Sequence, residues 1–272
     1  MKRLLTALVG VPLVLAAIFA LPPTGFLLVC LFCYGAASLE YVSISRAWAP
    51  SAPLWVVPLL AAGLGSYLSL AEPAQAVTAL RLLALLMVLS IGMGILLLLS
   101  RTPVAEFPGA LGAVCFGIPY FALATGGTCQ LQRQDPWLVF LLLAIVWLGD
   151  TAAYYVGKRW GRRLLAPVVS PKKTWEGALA SLLTGVVAAG VWGWFRLHRV
   201  DLPLIFIAAA TSVGAQLGDL VESLLKRSAG VKDSGTLLPG HGGFLDRSDA
   251  LLFGAPILWL GIALAGTRLV VP

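Results

Sequence analysis

The stretch Ser170–Ser181, "SPKKTWEGALAS", passes from two adjacent lysines, a tryptophan and a glutamate into an apolar run that continues to about residue 195. About 20 apolar residues carry a helix across the hydrocarbon core of a bilayer. The stretch therefore reads as the charged mouth of a membrane span. The pattern recurs at Gly240–Ala250, "GHGGFLDRSDA", ahead of another apolar run. The same length criterion, applied to the whole chain, gives nine candidate spans: 4–21, 25–42, 53–71, 79–99, 108–125, 137–156, 177–195, 203–221 and 249–267.

Composition agrees. Of 272 residues, 59% are apolar and only 11% are charged, and the mean hydropathy is +0.92. A soluble domain carries about 25% charged residues. The expected fold class is thus all-α, a polytopic integral membrane protein. No soluble domain fits between the spans. The net charge of +7 speaks first to topology. There is no basic tail or RNA-binding aromatic signature, so nucleic acid is not an expected partner.

With nine spans, 14 of the 19 Lys and Arg residues fall on the side of the N-terminus. Positive residues collect in the cytoplasm, so the N-terminus is expected there. An even count would require one span to be lost, and the short, Gly-rich fifth is the first candidate. Cys30 and Cys33 form a C-x-x-C inside an apolar run. A redox or zinc pair needs thiolates with polar support, so these two read as packing residues.

The acids carry the functional signal. Asp150 in "WLGDTAAYYVG", Glu176, Asp219 in "QLGDLVES", Asp246 and Asp249 all fall at the cytoplasmic ends of spans six to nine. A charge at the centre of a membrane helix costs about 2.5–3.5 kcal/mol on insertion scales, less toward the interface. One such acid alone is a snorkelling or capping residue, and Glu40 and Glu106 are read that way. Four or five at one depth, with Lys172, Lys173, Lys226, Arg227, Lys232 and Arg247 on the same side, fit a polyanion delivered with a divalent metal.

Spacing supports that reading. Asp219, Ser223, Lys226 and Arg227 share one helical face, as do Asp246 and Asp249. The loop "SGTLLPGHGG" offers glycine amides, Gly242 and Gly243 among them, that suit an anion-binding nest. Thr174 followed by Glu176 also satisfies ordinary helix-start chemistry. His241 is a phosphate donor or base, or else orders its turn. His198 reads as an exposed residue on the outer side.

These residues bear a resemblance. Ser223–Ala250, "SLLKRSAGVKDSGTLLPGHGGFLDRSDA", closely resembles the signature of the phosphatidate cytidylyltransferases, with Ser223, Lys226, Arg227, Lys232, Asp233, Gly235, His241, Gly242, Gly243, Asp246, Arg247 and Asp249 in register. Upstream, "GDTAAYYVGKRWG" and "SPKKTWEG" are similar to a second block of that family. The blocks cover about the last 125 residues. They divide the chain into 1–130, variable helices with candidate dimer contacts, and 131–272, a catalytic region with cytoplasmic loops 157–176 and 222–248.

The resemblance implies a reaction of CTP with phosphatidate that gives CDP-diacylglycerol and pyrophosphate for phospholipid synthesis. It also implies an inner-membrane enzyme facing the cytoplasm, Mg²⁺ or Mn²⁺ as cofactor with room for a monovalent cation, and a homodimer. Within that frame Asp219 and Asp246 are the leading metal ligands, followed by Asp249 and Asp150. Lys172 and Lys173 hold the triphosphate with Ser170 and Thr174; Ser223, Lys232, Gly242 and Gly243 contribute to phosphate binding. Lys226 and Arg227 meet the lipid phosphate or the pyrophosphate. His241 touches phosphate oxygens, and Arg247 neutralises charge. Two alternatives stand beside this: a related CTP-dependent enzyme acting on another lipid, such as a polyprenol kinase, and a membrane transporter.

Overall fold

The computed structural model describes residues 2–71, 91–237 and 242–266, with side chains from residue 10 onward. In chain order the helices are α1 (Lys2–Ala20), α2 (Pro23–Ser45), α3 (Val56–Leu70), α4 (91–99), α5 (Phe107–Gln134), α6 (Pro136–Trp160), α7 (Trp175–Leu197), α8 (Leu202–Ser228) and α9 (Leu245–Ala265). A two-stranded hairpin, β1 (Leu164–Ala166) and β2 (Ser170–Thr174), separates α6 from α7.

Among the described residues, six helices are long and apolar enough to cross a membrane: α2, α5 with its leading turn, α6, α7, α8 and α9. The fold is an all-α, multi-pass membrane protein. Helix α3 has 15 residues, about 22 Å at about 1.5 Å per residue, short of a core about 30 Å thick. Most of the expected span 79–99 lies outside the described residues.

The fifth span is the longest helix among the described residues and not a doubtful one. It runs for 28 residues, nine beyond the expected end at 125. Its polar tail reads like a loop, but tertiary hydrogen bonds satisfy it. Gln130 Nε2 donates to the carbonyls of Leu68 (2.7 Å) and Ala71 (2.8 Å). Gln132 Nε2 donates to Leu21 O (3.1 Å), and Arg133 donates to Ser69 O (2.7 Å). Side-chain glue of this kind holds membrane helices together. Gly126 and Gly127 let α5 press against Leu68 on α3 and against Ala255–Pro256 on α9.

Packing follows an alternating course. Helix α6 lies along α7, α3 along α5, and α8 along α9, while α5 also meets α2 and α9. The division expected near residue 130 thus falls inside α5, a helix that touches both halves. At one end Asp135 caps α6 through Trp137 N (3.0 Å) and pairs with Arg196 at 2.9 Å. His198 terminates α7 there in the left-handed region (φ 53°) and is exposed, as its sequence implied. At the opposite, basic end lie Lys172, Lys173, Lys226 and the start of α9. Large apolar side chains such as Leu28, Phe32, Leu98, Val187 and Phe206 face outward, where a bilayer covers what a soluble surface would not leave open. Cys30 is buried, Cys33 partly so, and both are free thiols.

Candidate active site

The basic end is built by short-range rules first. Helix α6 stops at Gly161, and the chain folds back through the hairpin, pairing Leu164 with Thr174 and Ala166 with Ser170. Thr174 then caps α7, its hydroxyl accepting from Gly177 N at 3.2 Å, and Glu176 accepts from Arg163 N at 3.4 Å. The helix-start chemistry read at Thr174 is therefore present. The strand at 170–174 is new: residues expected to belong to a helix entrance form β2, and this carries Lys172 and Lys173 over the mouth of the α6–α7–α8 groove.

That groove holds a cavity of about 250 Å³. Its walls are Asp150, Ala153 and Tyr154 of α6, Leu165 of β1, Lys172–Thr174 of β2, Gly177 and Ala178 of α7, and Gln216 and Asp219 of α8. Lys173 Nζ lies 2.6 Å from Asp219 Oδ2. Asp150 is within electrostatic reach of both Asp219 and Lys173. Helix α9 closes the back, because Gly218 allows α8 to approach the carbonyl of Asp249 and the ring of Phe253. The Asp249 carboxylate is within electrostatic reach of Asp219, Glu222 and Asp150.

Next to this cluster stands a second, buried one. Lys226 lies between two acids, 2.6 Å from Glu222 Oε2 and 2.5 Å from Asp246 Oδ1. The Glu222 side chain is 1% exposed. A buried carboxylate persists only when paired, so Lys226 serves both acids. The other oxygen of Asp246 gathers the loop: it accepts from Ser234 N (2.9 Å), Ser234 Oγ (2.9 Å) and Gly243 N (2.8 Å).

The loop has a further anchor from the far side of the sequence. Glu40, on α2, accepts from Phe244 N (3.1 Å) and Leu245 N (2.9 Å) and shares the single Ser234 hydroxyl proton with Asp246, its oxygen 2.8 Å from Ser234 Oγ. It caps α9 from another helix. This explains Gly243, where a Cβ would run into the Glu40 carboxylate and the Ser234 hydroxyl. The glycine admits the protein's own carboxylate, and its amide is taken by Asp246. Gly242 has φ +80° and makes the turn.

The remaining sequence candidates distribute as follows. Ser170 and Lys172 sit on β2, with Lys172 at the cavity wall. Ser223 Oγ is 3.5 Å from Asp219 Oδ1. Arg227 diverges from Lys226 to donate to Val231 O at 3.0 Å. Lys232 and Arg247 are exposed. His241 lies outside the described residues. Glu222 and the loop-anchoring role of Glu40 escaped the sequence reading. Glu222 carried a signal, standing three residues after Asp219 and four before Lys226. Glu40 showed only as an acid in an apolar helix; it does cap, but at a helix more than 200 residues away. Glu106 does not cap the helix it precedes; it accepts from Ser51 N (2.8 Å) and Ser51 Oγ (3.0 Å), 55 residues away.

The carboxylates suit a hard divalent cation, which takes oxygen donors. Asp219 and Asp150 at the cavity wall, with Asp249 behind them, are the set whose chemistry fits. Among the described residues no three such groups yet share one ligand sphere; the ammonium of Lys173 rests on Asp219, and both Asp246 oxygens are engaged.

The cytidylyltransferase family matches residues 1–265. The chain is 33% identical over 281 residues to a phosphatidate cytidylyltransferase of Haemophilus influenzae, covering 94% of this chain and 96% of that one. It is 45% identical over 161 residues to one from Bacillus subtilis, covering 57% and 59% of the two chains. A Brucella melitensis relative of the same name is 38% identical over 170 residues, covering 58% and 59%. With the match running through both halves of the bundle and the acid–lysine cavity at its basic end, this chain belongs to the cytidylyltransferase family.

Proposed function

We propose that the protein transfers the cytidylyl group of CTP to phosphatidate, releasing pyrophosphate and forming CDP-diacylglycerol. The similar proteins carry that activity in their names. The observation that carries the reading is the cavity in which Lys173 meets Asp219, set at the end of a bundle of membrane helices. CTP enters from water and the lipid stays in its leaflet, so the basic end faces the cytoplasm in this reading.

An oxygen of the lipid phosphate attacks the α-phosphorus of CTP. The bond from that phosphorus to the bridging oxygen breaks, and its electron pair leaves with pyrophosphate. The nucleophile is already an anion, so alignment and charge neutralisation matter more than a strong base. Lys172 and Lys173 hold the triphosphate. A divalent cation, Mg²⁺ or Mn²⁺, when held by Asp219 with Asp249 and Asp150, would supply neutralising charge. For that, Lys173 moves from Asp219 to phosphate. Lys226 acts through Asp246, keeping the glycine loop in place, and Asp246 joins the metal set only by releasing it. Arg227 and Lys232, both exposed, meet the lipid phosphate or pyrophosphate. Residues 131–272 form the catalytic region, and a homodimer is part of the same proposal, measured by light scattering of the purified protein.

The test is direct. Purified protein is incubated with phosphatidate, CTP labelled at the α-phosphate, and Mg²⁺. Label entering the lipid phase is the expected result; movement of solute across vesicles without CTP consumption would sink it.

A further inference from the structure

A second cavity adjoins the first and is of opposite character. It measures about 280 Å³ and lies in the groove between α7 and α8. Its floor is apolar, with Leu179 and Leu182 of α7 facing Val213 and Leu217 of α8. Leu165, Ala178 and Gln216 belong to both cavities, so the two share one wall. Leu179, Val213 and Leu217 are 56%, 44% and 52% exposed, so the groove is open to the bilayer along its side.

The chemistry of the substrate uses this contrast. A lipid phosphate that reaches CTP at the mouth of the polar cavity is bonded to a glycerol and two hydrocarbon chains, which must lie along an apolar surface beside it. The other described cavities share no lining residue with the polar one: one sits at the opposite end beside Arg133, the other among α2, α3 and α5. From Trp175 to Leu182 the groove follows α7 for seven residues, about 10 Å at about 1.5 Å per residue. That is enough for the first part of one chain.

We infer that the α7–α8 groove is the acyl-chain site of the lipid substrate, and that Leu182, Val213 and Leu217 set how strongly long chains are preferred. This rests on the proposed function, because it takes phosphatidate as the lipid.

The experiment compares Leu182→Trp and Val213→Trp enzymes on phosphatidates with hexanoyl and hexadecanoyl chains. Excluding even two methylenes from burial lowers the long-chain kcat/KM relative to the short-chain value by about tenfold. KM for CTP is read alongside and stays put. Val187→Trp, on the same helix but outside both cavities and 63% exposed, is the control and leaves the ratio alone. A ratio within twofold of wild type, an equal loss on both lipids, or a change in oligomeric state alone overturns the inference. A second measurement is independent of turnover. Phosphatidate with brominated chains quenches the fluorescence component lost in Trp175→Phe, whereas brominated phosphatidylcholine does so less. Equal quenching by both lipids makes the groove ordinary bilayer contact and overturns the inference. Failure of the wild type to label lipid refutes the proposed function, and the quenching comparison still decides the groove.

Discussion

Replacing Glu40 by alanine tests whether a residue of α2 holds the glycine loop. Three polar contacts of 2.8–3.1 Å end on its carboxylate. Ser234 keeps Asp246 as a partner after the substitution, but the amides of Phe244 and Leu245 lose theirs. An orphaned buried donor costs about 1–3 kcal/mol, and loss of a helix cap costs about 0.5–2 kcal/mol. Water entering the gap returns part of this, so the loop should lose about 2–4 kcal/mol against local opening. At about 1.4 kcal/mol per decade, amide exchange there accelerates by about 30- to 1,000-fold. Hydrogen–deuterium exchange of the peptide bearing Phe244 and Leu245 reads this directly. Amides in the interior of α6 are the internal reference. Glu40→Gln should fall between, since its single carbonyl oxygen satisfies one amide and its NH₂ faces the other. Exchange in Glu40→Ala within threefold of wild type would refute the anchoring argument.

Lys226→Met leaves Glu222 and Asp246 without their shared cation; a loss of about 3–5 kcal/mol is expected, measured as thermal stability in detergent, and Glu222→Gln in the same chain should restore part of it. Gly243→Ala drives a methyl group into Glu40 and Ser234; it should cost about 1–3 kcal/mol and lower turnover, whereas Gly230→Ala, opposed only by its φ of +73°, should cost about 1 kcal/mol. Lys173→Met should raise KM for CTP by about 10- to 100-fold, the worth of one charge-assisted hydrogen bond. Chelation with EDTA should stop label transfer, Mg²⁺ or Mn²⁺ should restore it, and Asp219→Asn should be inactive at any metal concentration, in radiolabel assays. Arg196→Ala breaks the pair with Asp135 at the other end of the bundle and should lower stability by about 1–2 kcal/mol while leaving turnover per folded molecule unchanged.

The spans were legible because a bilayer demands a fixed apolar length, and the chain supplies it repeatedly. Lys173 and Asp219 could be placed together because both stand at the ends of such spans on the same side. Three features were not readable, each for its own reason. The tail of α5, "TGGTCQLQRQ", has a loop's composition; only the carbonyls exposed at the ends of α1 and α3 make its glutamines and arginine helical residues. The hairpin hid because Thr174 and Glu176 form a genuine helix start, and nothing local says that the four residues before it pair with 164–166. The partners of Glu40 lie 194–205 residues away, beyond any local pattern. Asp246 stands out in the sequence as an acid at the mouth of a span, but whether its oxygens face the cavity or the loop is decided by Lys226 and Ser234, which meet only in three dimensions.

The tie between Glu40 and Leu245 spans 205 residues, and this bears on biogenesis. At about 5–20 residues per second of synthesis, α2 enters the membrane roughly 10–40 seconds before the amides that its carboxylate will receive exist. The anchor of the glycine loop is thus completed last, by a helix returning to one of the earliest: a chain cut before α9 still carries the residues that line the α6–α7–α8 cavity, but lacks Asp246, Asp249 and the amides that Glu40 holds.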